Sequence, residues 1–230
     1  MLAVKPAITD PEEFIRANTR LRPVPLVPEI SLRVADEAVP LWQKTEEELN
    51  EAGLPPPFWA FAWADGQALA RYVLDHPADV SGKTVLDLAT GSGLVGIAAM
   101  KAGASEVTVA DIDRFALVAA GINAADNGVA LTTCGNDLLR GSYTERWHTI
   151  LVGDIFYERD TAALAFGFLA RHARDGAKVL IGDPGRFYLP KERLVQLAEY
   201  RVPVTRDLED AEIKRTAVWT IAPDALQSAC

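Results

Sequence analysis

The chain has 230 residues, of which 49% are hydrophobic and 24% charged, and its formal net charge at pH 7 is −9. This composition is typical of a folded globular protein and excludes a disordered chain, and the length suits one α/β domain with or without a short extension. The negative charge disfavours nonspecific binding to nucleic acid or to anionic membranes, and no apolar run approaches the roughly 20 residues of a membrane-spanning helix.

The amino-terminal residues lack the features of a targeting segment. No apolar stretch follows a basic start, and Asp10, Glu12 and Glu13 make the region too acidic for a transit peptide. The two cysteines and three histidines match no metal-site spacing, so we expect no bound metal. We expect a protein of a reducing compartment, the cytoplasm.

Residues 1–57 differ from the rest of the chain in their proline content. Five prolines fall between Pro6 and Pro28, and a proline triplet occupies positions 55–57. Between these groups, Thr45 and the three glutamates after it predict a helix start, and the triplet predicts where that helix ends. We interpret residues 1–57 as an appendage and residues 58–230 as the main domain.

From residue 58 the chain alternates strands with helices. Asp65 is expected to cap a helix that runs to about Asp75. Further strands are predicted over 84–88, 106–110, 131–134, 148–152 and 177–181, and further helices over 94–102, 113–127 and 161–173. Apolar strands that alternate with helices predict an α/β fold with a parallel sheet covered on both faces.

The last part of the domain changes pattern. A helix is predicted over 190–200, followed by strands at 202–204 and 213–221 with no helix between them. These two strands predict an antiparallel hairpin that closes the sheet, and Pro203 is acceptable there only near an edge.

A glycine-rich turn follows the strand 84–88. The run from Gly91 to Gly96 fits the dinucleotide pattern G-x-G-x-x-G, with Asp111 about 20 residues further on. The plainer alternative is that these glycines only allow a helix to pack closely on the sheet.

Asp87 distinguishes between the ligands that such a turn could hold. A dinucleotide site places a pyrophosphate at the helix start, where a nearby carboxylate would oppose it. A carboxylate suits a ligand with a cationic amino group and no phosphate, such as S-adenosyl-L-methionine. The sequence therefore favours a methyl donor over a nicotinamide cofactor.

The run from Asp87 to Gly93 resembles motif I of the seven-β-strand methyltransferases, with Ala89 in place of the first glycine of that motif. The resemblance implies a Rossmann-like, mostly parallel seven-stranded sheet with an antiparallel carboxyl-terminal hairpin. It also implies S-adenosyl-L-methionine as cofactor, with Asp111 on the ribose hydroxyls. The cofactor-binding residues that it implies are Trp63, Gly66, Asp87, Ala89, Gly91, Gly93, Asp111, Ile112, Asn136, Asp137 and Gly153.

Two further segments narrow the resemblance. The run from Asp154 to Tyr157 resembles the D-x-x-Y element of family-16 protein-lysine methyltransferases, and the tryptophan-rich segment 58–67 resembles the one that precedes motif I there. Together with segments 27–30 and 41–48, they resemble the electron transfer flavoprotein β subunit lysine methyltransferases, which implies a bacterial relative of that family. Ala64-Asp65 departs from the Pro-Gly-like turn expected there, which puts the helix entry in doubt.

The resemblance implies roles at the reacting end of the site. Asp154 and Tyr157 are the implied catalytic residues, and Trp42, Trp59, Phe156 and Tyr157 the implied substrate-binding residues. The implied partner is the electron transfer flavoprotein β subunit, for which residues 1–57 are either a docking element or a lid.

Each of these residues has a plainer alternative. Some of the aromatic residues of segment 58–63 are expected to be core residues. If the segment is extended, Trp59, Phe61 and Trp63 point to one side and form a pocket wall. Asp154 is a candidate cap for the following helix, and Asn136-Asp137 is a candidate simple turn.

Three other functions stay open. One is a methyltransferase of a ribosomal protein or a small amine, and another is a catalytically silent cofactor-binding domain. A nicotinamide-dependent oxidoreductase is disfavoured by Asp87 and by the lack of an evident proton relay.

Overall fold

A seven-stranded sheet forms the centre of the structure, a computed structural model that describes residues 10–35, 56–141, 144–204 and 213–227. Its strands are β3 (Thr84–Leu88), β4 (Glu106–Ala110), β5 (Thr132–Cys134), β6 (Thr149–Gly153), β7 (Lys178–Asp183), β8 (Leu194–Pro203) and β9 (Ile213–Ile221). The strand order is β5-β4-β3-β6-β7-β9-β8. The first five strands are parallel, β9 runs antiparallel to β7, and β8 runs antiparallel to β9. The predicted fold class is therefore confirmed.

Helices cover both faces of this sheet. One face carries α2 (Ala64–Asp75), α3 (Leu94–Lys101) and α4 (Arg114–Asp126), and the other carries α5 (Arg159–Arg174) and the short α6 (Pro223–Gln227). Successive residues of a strand point to opposite faces: Val85 packs with α2 to α4, and Leu86 packs with α5. Within the described residues, no helix has the length and apolar character to cross a membrane. The cytoplasmic location stays a prediction.

The described part of the amino-terminal region is a helix followed by a hairpin. Helix α1 (Pro11–Asn18) begins at Asp10, whose carboxylate accepts the amides of Glu12 and Glu13. Strands β1 (Arg20–Val24) and β2 (Val27–Val34) pair antiparallel. Neither strand was predicted from the sequence. The predicted helix start at Thr45 lies outside the described residues.

Two asparagines, Asn123 of α4 and Asn127 directly after this helix, attach the hairpin to the main domain. The Asn123 side chain accepts the Arg33 amide at 2.8 Å and donates to the Ser92 carbonyl at 2.8 Å. Asn127 accepts the Ser31 amide at 3.1 Å and donates to the Ser31 carbonyl at 2.6 Å. The apolar side of the hairpin joins the core beneath α2 and α3 through Val24, Val27, Ile30 and Leu32. The division at residue 57 stays a prediction.

Two sequence predictions of secondary structure are wrong. The segment predicted as a helix over 190–200 is mostly strand β8, because its backbone pairs with β9 along nearly its whole length and Pro190 precedes only a single 3-10 turn. The hairpin is confirmed, and Pro203 ends a strand at the sheet edge. Asp65 does not cap α2: the helix begins one residue earlier with Trp63 as its N-cap, and Asp65 lies in the first turn.

Candidate active site

A cavity of about 1010 Å³ opens at the carboxyl ends of strands β3 to β6. Ligands of open α/β sheets bind at this edge, near the point where the strand order reverses. The loops after these strands line the cavity, together with segment 56–63. The predicted residues on its lining are Trp59, Trp63, Ala89, Gly91, Asp111, Ile112, Asn136, Asp137, Gly153, Asp154 and Tyr157. Gly66, Asp87, Gly93 and Phe156 are not on its lining, and Trp42 lies outside the described residues.

The glycine turn has its shape for reasons of packing. Ala89, Gly91 and Gly93 have φ values of +55°, +53° and +82°, a region that favours glycine. A Cβ on Gly93 would lie 2.9 Å from the backbone of Ala120 in α4. Gly93 therefore lets α4 approach the turn, which is a structural role, and its contact with the cofactor stays a prediction.

Asp87 lies buried beneath this turn and binds two of the residues around it by hydrogen bonds. It is only 2% exposed, and its Oδ2 accepts the Thr90 hydroxyl at 2.6 Å and the Gly96 amide at 2.9 Å. Burial raises the pKa of Asp87 to about 7, although both hydrogen bonds oppose the rise. The structure thus places the carboxylate under the turn and not on the cavity wall, where the sequence analysis expected it to meet an ammonium group directly.

Asp111 is the carboxylate that faces the cavity beside the turn. Its Oδ2 accepts the Gly91 amide at 3.0 Å and its Oδ1 accepts the Asp113 amide at 3.0 Å. Burial raises its pKa, opposed by backbone hydrogen bonds that include these two. Asp113, not Asp111, caps α4, by accepting the Phe115 amide at 2.8 Å. Asp111 is therefore available for a ligand, since the helix already has its cap.

The cavity continues over the loops after β4 and β5. Ile112 is 77% exposed on this wall, and Asn136 and Asp137 lie on the lining as well. Asp137 also organises its own turn, because its Oδ1 accepts the amides of Leu139 at 3.1 Å and Arg140 at 3.3 Å. The simple-turn alternative therefore describes the local geometry of Asp137, while Ile112 offers an apolar surface for a flat ring.

Asp154 lies at the other end of the cavity, after β6. It has a φ of +41°, unusual for a residue other than glycine. Both of its oxygens are held by Arg186: Nε donates to Oδ1 and Nη2 to Oδ2, each at 2.5 Å. Helix α5 begins only at Arg159 with Glu158 as N-cap, so the alternative that Asp154 caps this helix is wrong. The side chain is free of a capping role and is directed to Arg186 on the cavity wall.

Sequence reasoning missed three residues of this cluster. Asp65, Asp183 and Arg186 come from α2, the end of β7 and the loop after it. Burial raises the pKa of Asp65 well above its usual range, and the charges of Asp154 and Asp183 raise it further. The available signal was the run Asp183-Pro184-Gly185-Arg186, in which a Pro-Gly turn follows a predicted strand and carries two charges.

The aromatic segment is divided between core and cavity. Residues 58–60 form a 3-10 turn, so the side chains do not alternate as in a strand. Trp59 is 3% exposed, stacks on Phe115 at 6.4 Å and also contributes to the cavity lining. Trp63 lines the cavity as well, with its indole N–H donating to the Phe58 carbonyl at 2.8 Å. Phe156 is fully buried in the core against α5. The prediction that Phe156 contacts substrate is therefore wrong, while Tyr157, 58% exposed, lines the cavity.

The turn fits S-adenosyl-L-methionine better than a dinucleotide. A pyrophosphate is normally bound by free backbone amides at such a turn. Here the amides of Gly91 and Gly96 donate to Asp111 and Asp87, and the Gly93 amide donates to the Thr90 carbonyl. Of these two carboxylates only that of Asp111 faces the cavity, and it suits a ligand that has ribose hydroxyls and no phosphate.

Comparisons with known proteins agree with this assignment. The family model of ribosomal protein L11 methyltransferase (PrmA) matches residues 67–158. The chain is 38% identical over 216 residues to the electron transfer flavoprotein beta subunit lysine methyltransferase of Danio rerio, covering 91% of this chain and 83% of that protein. The corresponding Xenopus laevis protein is 37% identical over 220 residues, covering 94% and 88%.

Solved structures share the fold. SMU.776, a candidate methyltransferase crystallised with SAH, superposes with a TM-score of 0.54 at 13% identity, over 89% of this chain and 56% of that one. At this identity the match shows the fold alone. The relatives and the family match confirm the predicted S-adenosyl-L-methionine-dependent lysine methyltransferase. The chain belongs to the family of electron transfer flavoprotein β subunit lysine methyltransferases.

Proposed function

We propose that this chain transfers a methyl group from S-adenosyl-L-methionine to lysine side chains of the electron transfer flavoprotein β subunit. The observation that carries the choice of substrate is the 38% identity to an enzyme with that name over 91% of the chain. Residues 1–57 are the proposed docking element, with a lid over the cofactor as the alternative. We propose no nucleic acid or membrane partner, and a bacterial origin stays a prediction.

The cofactor end of the proposed site is the part next to the glycine turn. Asp111 is suited to accept both ribose hydroxyls, because a carboxylate forms strong charge-assisted hydrogen bonds. Ile112, Asn136 and Asp137 are suited to the adenine ring, and the backbone at Ala89 and Gly91 to the methionine part. When bound, the cofactor supplies an electrophilic methyl carbon on a sulfonium, and the protein supplies alignment.

The substrate end is formed by Asp154, Tyr157 and Trp63. A lysine ammonium has a reference pKa of about 10.4 and must lose a proton before its lone pair can attack. Aromatic walls from Tyr157 and Trp63 would remove water from the amine, which favours its neutral form. Asp154 would accept one amine N–H and direct the lone pair along the axis of displacement.

The test is methylation of the purified candidate partner. The chain is incubated with isotopically labelled S-adenosyl-L-methionine and the electron transfer flavoprotein β subunit of the same organism, and the sites are located by mass spectrometry. Ribosomal protein L11 is the comparison substrate, because the matching PrmA model covers residues 67–158. Labelled lysines on the β subunit, lost with the Asp154→Ala enzyme, support the proposal. Labelling of L11 alone would refute the choice of partner.

A further inference from the structure

Arg186 occupies both oxygens of the carboxylate that the proposed function assigns to the substrate lysine. The two hydrogen bonds form a parallel, bidentate pair, the strongest geometry available to these two groups. The Arg186 and Asp154 side chains are 34% and 22% exposed, and both line the cavity. A lysine amine that reaches Asp154 therefore meets a carboxylate that already has a cation.

The loop that carries Arg186 is held in a fixed position. Asp183 is 1% exposed, and its Oδ1 accepts the backbone amides of Gly185 at 2.6 Å and Arg186 at 2.7 Å. The Asp154 amide donates to the Gly182 carbonyl of β7 at 3.2 Å, which ties the start of the loop after β6 to the strand that precedes Arg186. The backbone of both residues is thus held in place, so the pair is built into the site.

The other titratable groups near this pair come from five parts of the fold. Asp65 on α2 and Asp183 at the end of β7 lie within electrostatic range of Asp154 and Arg186. Tyr157, in the loop after β6, lies within electrostatic range of Asp154, and also of Glu158 in the same loop and Asp111 in the loop after β4. Lys214 of β9 lies on the cavity lining. Burial raises the pKa of both Asp65 and Asp183.

We propose that Arg186 is a positioning residue that holds Asp154 and keeps a permanent positive charge beside the substrate amine. A like charge disfavours the ammonium form of an incoming lysine, and a guanidinium stays charged at every relevant pH. Asp154, already paired with a cation, then orients the amine through one accepted N–H and is a poor proton acceptor. This inference rests on the proposed lysine methylation.

The chemical step balances without a further reactant. The lysine ammonium releases its proton to water as it enters the cavity. The Nζ lone pair then forms the new N–C bond while the C–S bond of the sulfonium breaks and its electron pair stays on sulfur. The products are a protonated methyllysine and a neutral thioether. Arg186 acts before the transfer, by increasing the fraction of bound lysine that is neutral.

The pH dependence of kcat tests this role. Activity rises with pH as the bound amine loses its proton, which gives the profile its acidic limb. Loss of the Arg186 charge removes a like charge beside the ammonium and raises the amine pKa, so the acidic limb moves to higher pH. We expect Arg186→Gln to move this limb by about one pH unit and to recover to within a few-fold of the wild-type kcat at high pH. Arg186→Lys keeps the charge and should keep the limb in place, with a lower kcat. Arg159→Gln removes one exposed cation outside the cavity lining and should leave the profile unchanged.

Calorimetric SAH binding and thermal unfolding are measured on every variant, and both should stay near wild type. If Arg186→Gln does not fold, Arg186→Met replaces it. A limb that stays at the wild-type pH in the neutral variant, whatever its kcat, overturns the proposal, as does an equal shift in Arg186→Lys. The profile is measured on whichever lysine protein the wild-type enzyme methylates, so rejection of the β subunit as partner would not affect it. Absence of any methyl transfer by the wild type would refute the proposed function itself.

Discussion

Asp87 is the buried acidic residue under the glycine turn. Replacing it with asparagine should reduce the dependence of the protein's free energy of unfolding on pH. The Asn amide oxygen can still accept the Thr90 hydroxyl and the Gly96 amide, which both donate to one oxygen of Asp87. What the variant loses is the ability to ionise. The structure predicts that this loss is stabilising above neutral pH, because the carboxylate is 2% exposed and burial disfavours its charged form.

The magnitude follows from the shift in pKa. Burial raises the pKa of Asp87 from 3.8 to about 7 in the folded state, and each unit corresponds to about 1.4 kcal/mol. Since the folded state binds the proton more tightly, this contribution is fully present below about pH 4 and is lost as the pH rises to about 7. Ionisation therefore costs the wild type up to about 4 kcal/mol across this window, a cost that Asp87→Asn does not have.

Urea unfolding at pH 5 and pH 8, without added cofactor, measures the effect. The free energy of unfolding of the wild type should fall between these two values by more than that of Asp87→Asn, and the difference should be on the order of 2–3 kcal/mol. Since all other titrating groups are common to both proteins, their contributions cancel in this comparison. Parallel stability curves for the two proteins would show that Asp87 does not retain its proton in the folded state, and the reasoning from burial would be refuted.

Three further predictions concern the same edge of the sheet. Asp154→Ala should lower kcat by roughly 10²-fold, because the amine loses its orientation, while calorimetric affinity for SAH stays within a few-fold; normal turnover would contradict the assigned role. Asp111→Asn leaves one oxygen for two amide donors and should weaken SAH binding about tenfold, or about 1.4 kcal/mol; an unchanged Kd would count against the ribose assignment. Gly153→Ala collides with the Asp65 carboxylate and Gly182→Ala meets the Asp65 backbone oxygen at 2.6 Å, so each should cost about 1–3 kcal/mol in urea unfolding. Adding Asp65→Gly removes the side chain but not the backbone oxygen, so it should restore the stability of Gly153→Ala only. Equal restoration of both variants would refute this assignment of the two contacts.

The sequence was sufficient to predict the fold in segments where the local residue chemistry and the hydrophobic periodicity indicate the same element. The strand at 84–88, the glycine turn after it and Asp111 at the end of the next strand were predicted in place. Prediction was weaker for segments whose conformation depends on distant partners. Residues 190–200 contain no local signal against a helix, and they form β8 because β9, some twenty residues later, offers backbone to pair with.

For single side chains of the site, too, the sequence did not predict which are buried and which face the cavity. Asp87 and Asp111 both lie near the carboxyl ends of neighbouring strands, but Asp87 pairs with Val109 inside the sheet, two residues short of the position of Asp111. Asp87 therefore lies under the turn, while Asp111 faces the cavity. Phe156 and Tyr157 are adjacent in the sequence, and one is fully buried while the other is 58% exposed. Such differences arise from packing between elements, which a linear pattern does not contain. Arg186 was missed because the residue that it holds lies 32 positions earlier.

The attachment of the hairpin through Asn123 has a consequence for how the chain tolerates truncation. Deleting everything before residue 58 would uncover the apolar side chains beneath α2 and α3 and leave the Asn123 amide oxygen, in a residue with no exposed surface, without its donor. The same side chain holds the Ser92 carbonyl of the glycine turn, so damage at the amino terminus would reach the loop that the proposed function assigns to the methyl donor. A shortened enzyme should therefore lose cofactor affinity as well as solubility, although none of the described residues 10–35 lines the cavity.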